Sequence, residues 1–255
     1  MSPYIVERPR FILFGDSLTE RSFSEEGGWG ASLAHFYGRR VDVLNRGYGG
    51  YNTDWVMFIL DDVFKGCNSQ NTPLVTIFVG ANDAALPLPE GNEHSSTQHV
   101  PLSRYRENLR KIVHNIRERG VTQLVMITPP PVYEPGRKEW QIQRIGEEEA
   151  KNTAIDRTNA YTKQYAECCK EVALELDLPV VDLWTSMQET KGWGTLLFND
   201  GLHFTPEGNQ HAYNAILTTI NSTYPNLKVE EMPMQFPHFS EIDFSNPASS
   251  FGNLP

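Results

Sequence analysis

Five short, uninterrupted apolar runs divide the chain. They are Phe11-Ile12-Leu13-Phe14, Val41-Asp42-Val43-Leu44, Leu74-Val75-Thr76-Ile77-Phe78-Val79, Leu124-Val125-Met126-Ile127-Thr128 and the weaker Pro179-Val180-Val181-Asp182-Leu183. Runs without polar alternation predict strands buried on both faces, as parallel sheets require. Helical patterns fall between them. Trp29 to Tyr37 and Trp55 to Phe64 predict two helices. Tyr105, Leu109, Ile112, Val113 and Ile116 recur at spacings of three and four and predict a third. Ile155, Tyr161, Tyr165, Cys168, Val172 and Leu176 mark a long fourth helix. Thr205 followed by Pro206 predicts the N-cap and first residue of a last one, ending near Asn221. Strand and helix alternate throughout. The expected fold is therefore α/β, with a five-stranded parallel sheet covered by helices on both faces. Residues 1–223 read as one domain and 224–255 as an extended tail. The stretch from Ala84 to Val100 reads as a long irregular loop.

Composition narrows the function. The formal net charge of -10 and pI near 5.2 disfavour nucleic acid and anionic membrane surfaces as partners. Three cysteines, two of them adjacent, make no disulfide framework and no zinc spacing. With no apolar leader in Met1 to Arg10 and no apolar run long enough to span a bilayer, a cytoplasmic protein is expected.

Ligands of open α/β sheets sit at the carboxyl ends of the strands, so the residues that follow each run are the ones to read. Gly15-Asp16-Ser17-Leu18 follows the first run. Asn45-Arg46-Gly47-Tyr48-Gly49-Gly50 follows the second and Gly80-Ala81-Asn82-Asp83 the third, while Asp200-Gly201-Leu202-His203 lies near the end. Acyl transfer needs a nucleophile, a base, a group to orient the base, and donors for a developing oxyanion. Ser17 can attack, His203 can take its proton, and Asp200 can set the imidazole tautomer. The N–H groups of Ser17 and Gly50 and the amide of Asn82 can form an oxyanion hole. No Gly-x-Ser-x-Gly elbow occurs, so the nucleophile is not of the ordinary α/β-hydrolase kind. Gly47-x-Gly49-Gly50 does not make a dinucleotide fingerprint.

These four blocks, in this order, resemble those of the SGNH (GDSL-type) hydrolase superfamily. The wider contexts Phe14-Gly15-Asp16-Ser17-Leu18-Thr19-Glu20, Gly28-Trp29-Gly30, Asn45 to Thr53 and Val181-Asp182-Leu183-Trp184 are similar to its isoamyl acetate-hydrolysing esterase branch. The resemblance spans roughly residues 10 to 220. It implies a three-layer flavodoxin-like fold, a triad of Ser17, Asp200 and His203, and an oxyanion hole of Ser17, Gly50 and Asn82. It also implies hydrolysis of small short-acyl esters such as acetates of aliphatic alcohols, with no cofactor and no metal. Thioester or carbohydrate O-acetyl substrates are the alternatives on the same triad. A ligand-binding protein without turnover is the rival from another class.

Asp16 and Asp83 read as buried caps rather than reacting groups. Tyr48, Leu86 and Leu88 are candidates to line the ester pocket because they lie close to the motifs. The tail carries Met232, Met234, Phe236, Phe239, Phe244 and Phe251, more apolar bulk than disordered segments carry. It is expected to pack on the domain and to wall the pocket or join two copies in a homodimer.

Overall fold

An apolar run that meets helices on both sides buries every side chain it carries, and this is what Leu74–Phe78 and Leu124–Ile127 do. The computed structural model describes residues 4–251. Its central sheet contains Arg10–Gly15, Asp42–Gly47, Leu74–Phe78, Leu124–Ile127 and Val180–Val181, all parallel. Numbered along the chain, these five strands stand in the order 2-1-3-4-5, the flavodoxin-like arrangement. Alternate side chains of the first strand separate two cores. Phe11 and Leu13 face Trp29, Leu33, Ile216 and Ile220, from helices Trp29–Phe36 and Pro206–Thr223. Ile12 and Phe14 face Leu109, Ile112, Tyr165 and Val172, from helices Leu102–Glu118 and Asn159–Glu175. The result is a three-layer α/β sandwich.

Several elements differ from the sequence expectation. The second strand lies at the sheet edge, and all six of its residues are only half-buried. The predicted helix from Trp55 to Phe64 is two single turns, Thr53–Val56 and Leu60–Val63. Between them the N–H groups of Phe58 and Ile59 bond three residues back, which tightens the chain and turns it. The long helix starts at Asn159, after Thr158, whose hydroxyl accepts from the Tyr161 N–H. Ile155 lies before it. Two helices, Glu134–Ile145 and Glu147–Asn152, have no counterpart in the hydrophobic pattern. The first of these buries Gly136, Arg137 and Gln141, so its inward face is polar and gives no apolar stripe to detect. The loop between Ala84 and Val100 contains one helical turn, Glu93–Ser96, capped by Asn92.

The first part of the tail packs at the amino ends of the strands, whereas Phe236, Phe239, Phe244 and Phe251, on which the packing expectation rested, are exposed. Met234–Gln235 pairs in parallel with Tyr4–Ile5. Leu227 and Met232 are buried, and Tyr37 Oη donates to the Leu227 carbonyl at 2.9 Å. Arg39 donates to the carbonyls of Gln235, Phe236 and Pro237. Because Ser17 follows a strand's carboxyl end, the described tail lies at the far pole and does not wall the ester pocket.

Trp29 ties this framework to the loop after the first strand. It is fully buried, and its indole N–H donates to the Leu18 carbonyl at 3.0 Å. Trp29→Phe leaves that buried carbonyl unpaired and should cost roughly 1–3 kcal/mol of stability. The urea unfolding midpoint checks it, and an unchanged midpoint would refute the role.

Candidate active site

The first strand ends at a position where no side chain fits. A Cβ on Gly15 would lie 2.2 Å from Thr19 Oγ1 and 2.4 Å from the Phe78 carbonyl oxygen. The chain then turns, and Asp16 caps the turn by accepting from the Leu18 N–H at 3.0 Å. Ser17 opens the short helix Ser17–Glu20 and is half-buried. Its Oγ lies 2.9 Å from His203 Nε2.

His203 comes from the loop that precedes helix Pro206–Thr223. Its Nδ1 lies 2.8 Å from Asp200 Oδ2, while Asp200 Oδ1 accepts from the N–H groups of Leu202 and His203 at 3.0 and 2.8 Å. One carboxylate therefore fixes both the loop backbone and the ring. Gly201 completes the turn with φ +78°, a conformation that favours glycine. With Nδ1–H donating to Asp200, Nε2 is left with a lone pair facing the Ser17 hydroxyl. Burial pushes the Asp200 carboxyl up. The hydrogen bond and charge of His203, the backbone N–H and the Arg137 guanidinium outweigh it, and hold the group below the ordinary carboxylate range.

Gly50 and Asn82 complete the cleft. Together with Ser17 and His203 they line a depression of about 350 Å³. Gly50 has φ +81°, which again favours glycine. Asn82 is buried, and its Nδ2 donates to the Tyr51 carbonyl at 2.8 Å, so one of its two amide hydrogens remains for a ligand. The structure thus brings all five sequence-predicted site residues to one edge of the sheet. Asp16 and Asp83 are buried caps, as expected. Asp83 accepts from the Thr53 N–H at 3.0 Å and from its hydroxyl. Burial pushes both carboxyls up to about 7.

The cleft also contains residues that the sequence reading passed over. Arg137, Trp140, Arg144, Asp156 and Arg157 line it. Asp156 receives Arg137 in a two-pronged pair, at 3.1 and 2.6 Å, and also bonds Arg157. Arg137 reaches Asp200 Oδ2 at 3.3 Å. The only sequence signal was an adjacent Asp-Arg pair just before the Thr158 cap, which reads as surface charge. Tyr48, Leu86 and Leu88 do not line the cleft. Tyr48 packs edge-on against Phe14 at 6.5 Å, Leu86 is buried and Leu88 points to solvent.

Two predictions follow from the Asp200 geometry. Asp200→Asn should lower kcat by as much as about 10⁴-fold, because an amide no longer enforces the tautomer that the imidazole needs. Steady-state kinetics check it, and near-normal turnover would refute it. The folded-state pKa of Asp200 lies below the unfolded value of about 3.9. Its ionised form therefore stabilises the fold above that value, and the contribution is lost as pH falls below about 4. Acid unfolding of Asp200→Asn should accordingly depend less steeply on pH than that of the parent.

Comparison with known proteins fits this arrangement. Residues 13–211 match the model of the GDSL-like Lipase/Acylhydrolase family. The chain is 45% identical to a GDSL esterase/lipase of Arabidopsis thaliana, over 96% of this chain and 98% of that protein. It is 37% identical to an isoamyl acetate-hydrolyzing esterase 1 homolog of Homo sapiens, over 95% and 91%. A lipase/acylhydrolase from Enterococcus faecalis superposes with TM-score 0.62 at 26% identity, covering 84% of this chain and 96% of that one. A catalytic mutant of an acetylxylan esterase from Geobacillus stearothermophilus gives TM-score 0.63 at 19% identity, over 85% and 95%, and so shares the fold. The chain is a hydrolase acting on esters and belongs to the GDSL-like lipase/acylhydrolase family.

Proposed function

We propose that the protein hydrolyses small, short-acyl carboxylic esters through an acyl-enzyme on Ser17. One observation carries the reading. The Ser17–His203–Asp200 chain, at 2.9 and 2.8 Å, opens on a cleft that Gly50 and Asn82 also line. As Ser17 Oγ bonds to the ester carbonyl carbon, its proton passes to His203 Nε2. The carbonyl electrons move onto oxygen, where the N–H groups of Ser17 and Gly50 and the Asn82 amide receive the charge. Collapse breaks the bond to the alcohol oxygen, and the imidazolium returns its proton to the departing alcohol. Water then repeats the sequence on the acyl-enzyme, and the carboxylic acid leaves with Ser17 restored. Ionised Asp200 stabilises the imidazolium in both halves. A cleft of about 350 Å³ lies at the small end of ligand pockets. The human relative's name supports acetates of aliphatic alcohols as the substrate class.

Ser17→Ala should abolish hydrolysis and labelling by a fluorophosphonate probe while the melting profile persists. Retained turnover in that variant would exclude Ser17 as nucleophile, and a parent enzyme that never labels would favour a binding protein. Asn82→Ala should lower kcat by roughly 10²–10³ with KM little changed, and a change confined to KM would make Asn82 a substrate-binding group instead. Among p-nitrophenyl esters of graded acyl length, kcat/KM should peak at acetate. A maximum at long acyl chains, or greater activity on an acetylated sugar or an acyl thioester assayed alongside, would reassign the substrate class.

A further inference from the structure

Arg157 is a buried cation whose hydrogen bonds go to the oxyanion side of the cleft. Its side chain is 5% exposed. Nε donates to the Ala81 carbonyl at 3.0 Å. Nη2 donates to Asn82 Oδ1 at 3.0 Å and to Gln98 Oε1 at 2.9 Å. Nη1 bonds Asp156. Gln98 in turn donates from Nε2 to the Gly50 carbonyl at 2.9 Å, and its backbone carbonyl accepts from Asn52 Nδ2 at 2.9 Å. One guanidinium is therefore connected directly to the Asn82 amide and, through Gln98, to the carbonyl of Gly50, the residue whose N–H is the other candidate donor outside Ser17.

The chemistry of the groups gives this connection a direction. A carboxamide can sit either way round, and the two orientations differ only in where oxygen and nitrogen lie. Arginine has five N–H donors and no acceptor. An amide facing it must present oxygen, so its NH₂ must face away. For Asn82 that puts the NH₂ on the side of the Tyr51 carbonyl and the cleft. For Gln98 it puts the NH₂ on the Gly50 carbonyl, which fixes the peptide at a residue already held at positive φ. A flipped Asn82 would present its oxygen to an oxyanion and repel it. Buried Arg157 is itself held by Asp156, whose other guanidinium partner, Arg137, sits on Asp200.

We propose that Arg157 is the positioning residue of the oxyanion hole. It fixes the orientation of the Asn82 amide and, through Gln98, the Gly50 backbone, and Asp156 holds it in place. Its hydrogen bonds go to Ala81, Asp156, Asn82 and Gln98 and not to Ser17, so it acts through these groups. The proposal rests on the Ser17 acyl-enzyme reading, because a group that orients oxyanion donors matters only where an oxyanion forms. It also gives a purpose to burying a full charge, which a merely structural site could replace with apolar packing.

The test is a double-mutant cycle between Arg157→Met and Asn82→Ala, read by steady-state kinetics on p-nitrophenyl acetate in variants shown by circular dichroism to be folded. Arg157→Met alone should lower kcat by about 10²-fold, the scale of losing one oxyanion donor, with KM changed less than about threefold. In the Asn82→Ala background the same substitution should cost less than about fivefold more, since only the weaker branch through Gln98 to Gly50 is left for Arg157 to orient. Arg157→Lys keeps a donor-only cation and should recover part of kcat. Gln98→Leu leaves the ion cluster intact and keeps the chain assayable if Arg157→Met does not fold. It should lower kcat several-fold at unchanged KM. Effects of Arg157→Met and Asn82→Ala that multiply, a loss seen only in KM, or a Gln98→Leu enzyme with full kcat would overturn the proposal. Ser17→Ala, assayed in parallel, separates the two readings. If it turns over like the parent, the acyl-enzyme reading fails. If it is inactive while the cycle multiplies, only the role of Arg157 fails.

Discussion

Strand Arg10–Gly15 is hydrogen-bonded on both sides, to Asp42–Gly47 and to Leu74–Phe78, and its last residue sits beside Gly47 on one flank and Phe78 on the other. That pairing is the constraint on which the cleft depends. Parallel strands in register end together, so the turns that follow them open on the same side. Ser17, Gly50 and Asn82 each follow one of these three adjacent strands. The close approach at Gly15 leaves no room for a Cβ, so the three turns cannot be spread apart by a larger residue. Of the five candidate site residues, Asp200 and His203 reach the cleft from elsewhere, on a loop braced by the antiparallel Phe198–Phe204 bridge.

Around these turns the protein buries an unusual amount of polar matter. Asp16, Asn82, Asp83, Arg137, Asp156 and Arg157 are all buried. Removing such groups from water is costly unless each finds a partner. Arg137 and Arg157 bracket Asp156, and Asp83 is held by Thr53. Asp16 spends one oxygen on the Leu18 N–H and leaves Oδ2 unpaired. That fits the upward push on its carboxyl, since a neutral acid tolerates burial better than an anion. Fixed dipoles around an enclosed cleft need little reorganisation when charge develops, which is the main electrostatic advantage an enzyme has over water.

The sheet was legible in the sequence because its signal is apolar and local. Phe11 to Phe14 and Leu74 to Phe78 are continuous runs, and Thr205-Pro206 is a start signal that the structure honours. Ser17, Gly50 and Asn82 were legible as candidates because each follows a recognisable strand, and Asp200 and His203 because they share a short motif just before the Thr205-Pro206 helix start. Helix Glu134–Ile145 was not, because the face it buries carries Arg137 and Gln141 rather than a stripe of leucines. For the same reason nothing in the local pattern singled out Asp156 and Arg157. What makes them interior is contact of Asp156 with Arg137 and of Arg157 with Asn82, distant along the chain, and periodicity does not encode such contacts. The split of the helix predicted from Trp55 to Phe64 had no glycine or proline to announce it.

Ser17 and His203, which bond to each other, stand 186 residues apart in the sequence. A growing chain therefore exposes the Ser17 hydroxyl long before the His203 imidazole that bonds it. Helix Trp29–Phe36, just beyond the nucleophile, is held at its first N–H by Asn209 from the last helix, at 3.2 Å. Contacts of such span form late, after the entropy of closing a long loop has been met. Until residues so far apart along the chain have met, the Ser17 hydroxyl stands without the imidazole it bonds in the folded domain, so the pair is itself a mark of complete assembly.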